Sequence, residues 1–271
     1  ATAADVEDWI EVSAPTEVTQ KFVGYGQLSI DTQIIKYRKV TSKGQSSFQL
    51  VLNQTPFYAE SGGQCGDVGM LVFGDEKIAV IDTLKENDLI IHVVKNFPSN
   101  FSNFSKAEVH ANKRNATEKN HTAVHLMHAA LHEILGTHAL QKGQDVDSKR
   151  LRFDFSHFQK VTDEEVAKIE KIVNQRIREN IALEEVRNMP IAEAKNLGAT
   201  MLFGEKYGDT VRVITFDKNF SQELCGGTHV SATGKIGSFK ILKEDSVAAG
   251  VRRIEAVTAE AAEDFITKEL K

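Results

Sequence analysis

The residues best able to do chemistry in this chain are histidines and one cysteine, in two short stretches. The first is His121-Thr-Ala-Val-His125-Leu-Met-His128, with His132 one turn further on. The second is Cys225-Gly-Gly-Thr-His229. On a helix, residues four apart share a face about 6 Å apart along the axis, so His121 and His125 point the same way and can grip one metal ion. Neutral imidazole is the commonest protein ligand for zinc. In the second stretch a thiolate and a third imidazole flank two glycines, which let the backbone turn tightly. Together the two stretches offer three nitrogens and a sulfur, a donor set suited to tetrahedral zinc. HxxxH alone is a weak signal. The pairs 125/128 and 128/132 share the same face, and His121 to His132 spans about 16 Å at helical rise. That is too long for one ion, so some of these histidines pack or hydrogen-bond instead. A zinc-protease centre does not fit, because that motif places glutamate directly after the first histidine as general base, and Thr122 stands there.

The elements that must position these groups follow from periodicity. An amphipathic helix over about 115–135 carries the first stretch. Before it, residues 27–94 read as β: Ser29–Tyr37, Ser47–Asn53, Gly69–Phe73, Lys77–Asp82 and Leu89–Val94 are short strands parted by turn residues such as Gly74-Asp75. Strands at roughly ten-residue spacing predict a small barrel or sandwich. Within them lies Thr55-Pro-Phe-Tyr-Ala-Glu-Ser-Gly-Gly-Gln-Cys-Gly-Asp-Val-Gly69, whose glycines suit either backbone close to a ligand or RNA, or a bulge or loop crossing. It does not lead from a strand into a helix, so neither a P-loop nor a dinucleotide fingerprint is supported. The first 25 residues read as an acidic segment ending a helix, and Phe97–Ser105 as a linker. Beyond the histidine helix come a loop with Gly136 and Gln141-Lys-Gly143, then a strand over Leu151–Phe155. Thr162 and Glu165 form a capping box for a helix to about Asn180. A strand over Leu183–Arg187 and a short helix from Pro190 to Gly198 follow, then a strand over Val211–Phe216 that leads to the Cys225 turn. Strands over Gly237–Leu242 and Val251–Val257 come next, and a last helix is capped near Thr258. The expected class is α+β, with a small N-terminal barrel or sandwich over 1–106 and a mixed domain over 107–271.

At 271 residues the chain can bury a sizeable core in two domains. A net charge of −5 argues against a general nucleic-acid coat, though it allows a local basic patch. Two cysteines, one wanted by a metal, exclude a disulfide framework and point to a reducing cytoplasm. No apolar run reaches membrane-spanning length. The chain opens without Met, in what reads as mid-element, as a piece of a longer protein would.

Six stretches together resemble the editing region of alanyl-tRNA synthetases. They are Thr55–Gln64, His121–His125, Gln141–Gly143, Leu151-Arg-Phe-Asp-Phe-Ser-His157, Cys225–His229 and Gly250-Val-Arg-Arg-Ile-Glu-Ala256, in the family's order from about residue 20 onward. The resemblance implies a small β-barrel followed by an α+β editing domain of the type shared with threonyl-tRNA synthetases. The aminoacylation core would precede residue 1, and an oligomerisation region would follow the last residue. It implies hydrolysis of the aminoacyl ester of tRNA(Ala) carrying misattached serine or glycine. It also implies Zn2+ at His121, His125, Cys225 and His229, with His229 the loosest ligand, and Gln141 beside the bound amino acid. The family usually has threonine where this chain has Val124, which cannot hydrogen-bond. The serine hydroxyl would then be read by Thr122, Thr228 or Gln141, with Gln141 and Thr122 as catalytic candidates and Gln141, Val124 and Thr228 around the substrate. Cys65 reads as a packed thiol. Arg252-Arg253 and Arg152, with Lys149-Arg150 and Lys113-Arg114, are candidate phosphate contacts. Two alternatives are a freestanding trans-editing deacylase and a non-catalytic, zinc-stabilised tRNA-binding module.

Overall fold

The computed structural model describes residues 4–12, 19–101, 105–201 and 207–270. They form two compact units, one of residues 1–61 and 65–114 and one of residues 62–64 and 115–271. Apart from residues 111–114, which open a helix, the described elements of the first unit are strands: β1 (Asp5–Val6), β2 (Ile10–Glu11), β3 (Lys21–Phe22), β4 (Ser29–Thr32), β5 (Ile34–Ser42), β6 (Gln45–Leu52), β7 (Gln54–Thr55), β8 (Gly69–Phe73), β9 (Glu76–Glu86), β10 (Leu89–Val94) and β11 (Ser105–Val109). Most pair in the order β1-β5-β6-β10-β9-β8-β11-β4, with β2 also on β5. Alternation puts Ile78 and Val80 of β9 inward and Lys77, Ala79 and Ile81 outward. The inward residues join Leu50, Leu52, Phe57, Leu71 and Val94 in one core.

Three expectations change here. Among the described residues no ladder closes this sheet, so the expected small barrel is not shown. At the bend between β4 and β5 the Asn53 side chain accepts from the Gln33 N–H at 2.9 Å and its backbone N–H donates to Gln33 O at 3.0 Å, which satisfies both backbone groups of Gln33. Among the described residues the acidic start holds strands and no helix: β1 and β2 lie antiparallel on β5, and positions 1–3 and 13–18 lie outside the described residues. In the segment read as a linker, Phe97 and Phe101 pack against the core, with Phe97 4.4 Å from the Tyr37 ring; positions 102–104 lie outside the described residues.

The second unit contains most of α1 (Ala111–Leu135), then β12 (Gln141–Val146), β13 (Leu151–Ser156), α2 (Asp163–Arg178), β14 (Glu184–Pro190), α3 (Ile191–Asn196), β15 (Thr210–Phe216), β16 (Ser221–Leu224), β17 (Phe239–Ala248), β18 (Val251–Thr258) and α4 (Ala259–Glu269). Two sheets, β12-β13-β18-β17 and β14-β15-β16, are antiparallel throughout. Leu126, Met127, Ala130 and Leu131 of α1 and Ile169, Val173 and Ile177 of α2 share one core with Phe153, Phe155 and Ile254. A fully buried leucine or phenylalanine contributes about 1.5–3 kcal/mol. The Thr162–Glu165 capping box starts α2 as expected. Gly136, at φ 107°, ends α1 by carrying its N–H to His132 O at 3.1 Å. Gln141–Gly143, expected in a loop, belongs to a strand, because β13 supplies its partners. β16, which had no sequence counterpart, runs directly into the Cys225 turn.

Candidate metal centre

The helix α1 and the turn after β16 bring His121, His125, Cys225 and His229 together, with one ligand atom from each within 4.8 Å of the others. His121 and His125 sit one turn apart and their ring centroids are 5.4 Å apart; the His229 ring is 4.6 Å from the first and 4.7 Å from the second. Cys225 Sγ lies 3.6 Å from His121 Nε2 and 3.3 Å from His229 Nε2. Donors held at zinc's usual bond lengths in a tetrahedron stand about 3.5 Å apart, so the set fits a metal ion of that kind.

Each imidazole has a polar neighbour at Nδ1, a hydrogen-bond partner for His121 and His229 and an ion-pair approach without a hydrogen bond for His125. Gln64 Oε1 lies 2.7 Å from His121 Nδ1, a Glu223 oxygen lies 3.1 Å from His125 Nδ1, and Thr122 Oγ1 lies 3.2 Å from His229 Nδ1. Such outer partners fix the ring and tautomer and leave the other nitrogen for the metal. The turn itself is held from behind: Arg212 Nη1 donates to Cys225 O at 3.1 Å and to Gly227 O at 2.5 Å, and Arg212 Nε donates to Glu185 at 2.7 Å. Gly227 is required at its place, because a Cβ there would run into the His121 ring and Gln64 Oε1.

The electrostatics suit a cation. Burial opposes ionisation of Cys225, but the imidazoles of His121, His229 and His125 outweigh it and hold the thiol well below its usual range. Burial lowers His229 to about 3 despite the neighbouring thiolate, so this ring stays neutral, as a ligand must be. Burial also works against a charge on His125, yet Glu223 and Cys225 raise it to about 10, so without a metal this ring carries a proton that a bound cation would have to displace.

The other candidates are distributed as follows. Thr122 is fully buried and, besides facing His229, accepts the Val230 N–H at 3.2 Å. Thr228 is buried against Gln64. Val124 is packed in the core with Leu126 and Phe153 and is 2% exposed. Gln141 is half-buried at the start of β12, and its side chain has no hydrogen-bond partner among the described residues. His128 faces the second oxygen of Glu223 at 3.1 Å, and His132 reaches Ala139 O at 3.1 Å, so these two histidines serve packing and hydrogen bonding.

The candidate arginines have carboxylate neighbours within the protein. Arg252 is bidentate to Glu244 at 2.5 and 2.6 Å, and Arg253 is bidentate to Asp154 at 2.7 and 2.8 Å. Arg152 lies 3.9 Å from both Asp145 and Asp154. Arg114 is 1% exposed and holds Asp67, Gly24 O and Pro56 O inside the first unit, so it cannot reach a phosphate. Sequence reasoning missed Gln64, Glu223 and Arg212. The only signal for the first two was their place beside motif residues.

The sequence has counterparts among known proteins. Residues 211–255 match the family described as "Threonyl and Alanyl tRNA synthetase second additional domain", and residues 1–115 match "tRNA synthetases class II (A)". This defines the class as aminoacyl-tRNA synthetase. An alanine–tRNA ligase of Cytophaga hutchinsonii is 58% identical over 99% of this chain, one of Parabacteroides distasonis 54% over 98%, and one of Salinibacter ruber 49% over 99%. The chain belongs to the alanyl-tRNA synthetase family and contains its second additional domain. It spans about 30% of the length of the Cytophaga and Parabacteroides relatives. No helix among the described residues is long and apolar enough to cross a membrane.

Proposed function

We propose that this chain is the editing part of an alanyl-tRNA synthetase, hydrolysing the ester of seryl- or glycyl-tRNA(Ala) in the cytoplasm. The observation that carries the proposal is the donor set of three buried histidines, His121, His125 and His229, with the part-buried Cys225, in which His121 and His229 are hydrogen-bonded at Nδ1 and His125 Nδ1 lies 3.1 Å from Glu223. Zinc held there would supply Lewis acidity or a fixed positive charge toward the ester carbonyl or the amino group. The protein's own residues do the rest. Thr122 holds His229. Thr228 keeps the turn in register with α1 through Gln64. Gln141 brings an uncommitted carboxamide able to take the serine hydroxyl or the amino group. Arg152, Arg252 and Arg253 lie on β13 and β18 as the candidate contacts for the tRNA backbone. The barrier removed is that of ester hydrolysis, and selectivity against alanyl-tRNA(Ala) requires a polar group that alanine leaves unpaired.

A second reading has an observation of its own. Four protein donors close a tetrahedron, as structural zinc sites do, whereas catalytic sites keep a position open. That favours a metal that stabilises a tRNA-binding module without taking part in hydrolysis. The discriminating experiment uses the purified chain with seryl-, glycyl- and alanyl-tRNA(Ala), alongside elemental analysis. Editing predicts stoichiometric zinc, release of serine and glycine, and loss of both zinc and hydrolysis in Cys225→Ala. Zinc with tRNA binding but no hydrolysis supports the module, and absence of stoichiometric zinc after metal-replete purification overturns the donor-set assignment.

A further inference from the structure

We propose that Gln64 is a positioning residue for the metal centre: it fixes His121 as the Nδ1–H tautomer and ties that ring to the Cys225–His229 turn. The inference rests on the metal reading above and adds a residue to it. Gln64 is fully buried and uncharged. Its Oε1 lies 2.7 Å from His121 Nδ1 and 2.9 Å from the Thr228 backbone nitrogen, and its Nε2 donates to Thr228 Oγ1 at 2.9 Å.

The orientation of this carboxamide is set by the backbone. Oxygen and nitrogen of an amide are assigned from their partners, and here one partner is a main-chain N–H, which can only donate. A flipped Gln64 would set its NH2 against that N–H. The oxygen therefore faces Thr228 N, and since a carboxamide oxygen only accepts, His121 Nδ1 must donate to it. The lone pair of His121 is left on Nε2, 3.6 Å from Cys225 Sγ. One side chain thus reads the turn's backbone and passes the result to the helix as a tautomer.

Gln64 is itself held. The adjacent Gly63 O accepts the Val146 N–H at 2.7 Å, Gln64 bridges Val146, and the Gln144 side chain donates to Gly62 O. A Cβ on Gly63 would collide with the Gln144 backbone, so the close approach needs glycine. The glycines of the 55–69 stretch are therefore explained in part by the delivery of Gln64 against β12.

The test uses the complete 271-residue chain and the variants Gln64→Leu and Gln64→Glu. Long-range 1H–15N correlation spectra of the metal-free protein at mildly alkaline pH read the His121 tautomer. Chelator competition with Co2+ reads affinity, and the ligand-field spectrum reads geometry. Wild type and Gln64→Glu, which keeps the acceptor, are expected to show His121 as Nδ1–H. Gln64→Leu is expected to lose that tautomer and bind Co2+ about 10–100-fold more weakly with an altered spectrum. A folded Gln64→Leu with unchanged tautomer and affinity overturns the inference. So does a wild-type His121 found as Nε2–H, which needs no variant to fold. If wild type binds no Co2+, the metal reading fails separately, and the tautomer comparison alone decides the role of Gln64.

Discussion

One carboxylate oxygen of Glu223 lies 3.1 Å from Nδ1 of His125, a ring of the candidate metal set. The second oxygen lies 3.1 Å from His128 Nδ1. Burial alone would raise the pKa of Glu223, but His125 and His128 hold it well below the usual carboxylate range. Glu223→Gln keeps the shape and removes the charge, and should weaken metal binding by about 10–100-fold. Glu223→Ala should also lose about 1–3 kcal/mol of stability, because it strips the partner from buried His128. Chelator competition and urea unfolding separate the two effects; equal metal affinity in all three proteins would remove Glu223 from the centre.

A second prediction concerns pH and the first unit. His92 is fully buried on β10, with Nδ1 donating to Leu50 O at 3.0 Å and Nε2 2.7 Å from Thr55 Oγ1. Burial lowers its pKa from 6.5 to about 4, only partly offset by the Leu50 carbonyl. The unfolded chain therefore binds a proton at a pH where the folded one does not. Stability from the neutral ring is fully present above 6.5 and is lost as pH falls from 6.5 toward 4. The loss amounts to about 3 kcal/mol at about 1.4 kcal/mol per pKa unit. Urea melts across that window should show the decline in wild type and a flatter profile in His92→Gln; parallel profiles would refute the assignment.

Arg114 gives a third. Its guanidinium is buried against the Asp67 carboxylate and also donates to Gly24 O and Pro56 O at 2.7 and 2.9 Å. Arg114→Met should cost about 3–5 kcal/mol by leaving the Asp67 charge buried alone. Adding Asp67→Asn should recover part of that loss. A double variant no more stable than Arg114→Met would show that the carbonyl bonds, and not the ion pair, dominate.

The fourth prediction follows from the bidentate pairing of Arg252 with Glu244. A guanidinium already neutralised by a carboxylate has little left for a phosphate. Glu244→Gln should therefore tighten tRNA binding and steepen its salt dependence by about one unit of slope, and Arg252→Ala should change the slope by less than that. Unchanged slopes in both variants would make the pair purely structural.

What could be read from the sequence was what is local in the chain. The His121–His125 pair, the Cys225–His229 turn and the Thr162–Glu165 box are set by spacing on a single element, and all three appear as expected. The partners that orient the rings are not local: Gln64 is 57 residues from His121, and Glu223 is 95 from His128. No periodicity encodes such pairs. Polar Gln141-Lys-Gly143 gave no sign of a strand, because its regularity comes from β13. Strand spacing pointed to a barrel or a sandwich and does not report whether the last ladder closes.

Val124 poses the last test. It stands where the family usually carries threonine, yet its side chain is packed among the apolar residues of α1 and β13. Burying a hydroxyl there costs about 1–3 kcal/mol unless it finds an acceptor, and on a helix the carbonyl four residues back, that of Asn120, is the nearest one. Val124→Thr should therefore lower stability modestly and leave the ratio of seryl- to glycyl-tRNA(Ala) hydrolysis unchanged. If the hydroxyl reached the serine side chain instead, a net bond of about 0.5–1.5 kcal/mol would raise that ratio roughly two- to twelvefold. Glycine serves as the internal control, since it has no side chain to be read and its rate reports any general damage to the site. Measuring kcat/KM for both substrates in wild type and Val124→Thr decides between them. A raised ratio at unchanged glycine rate would place position 124 in the amino-acid pocket and refute its assignment to the core alone.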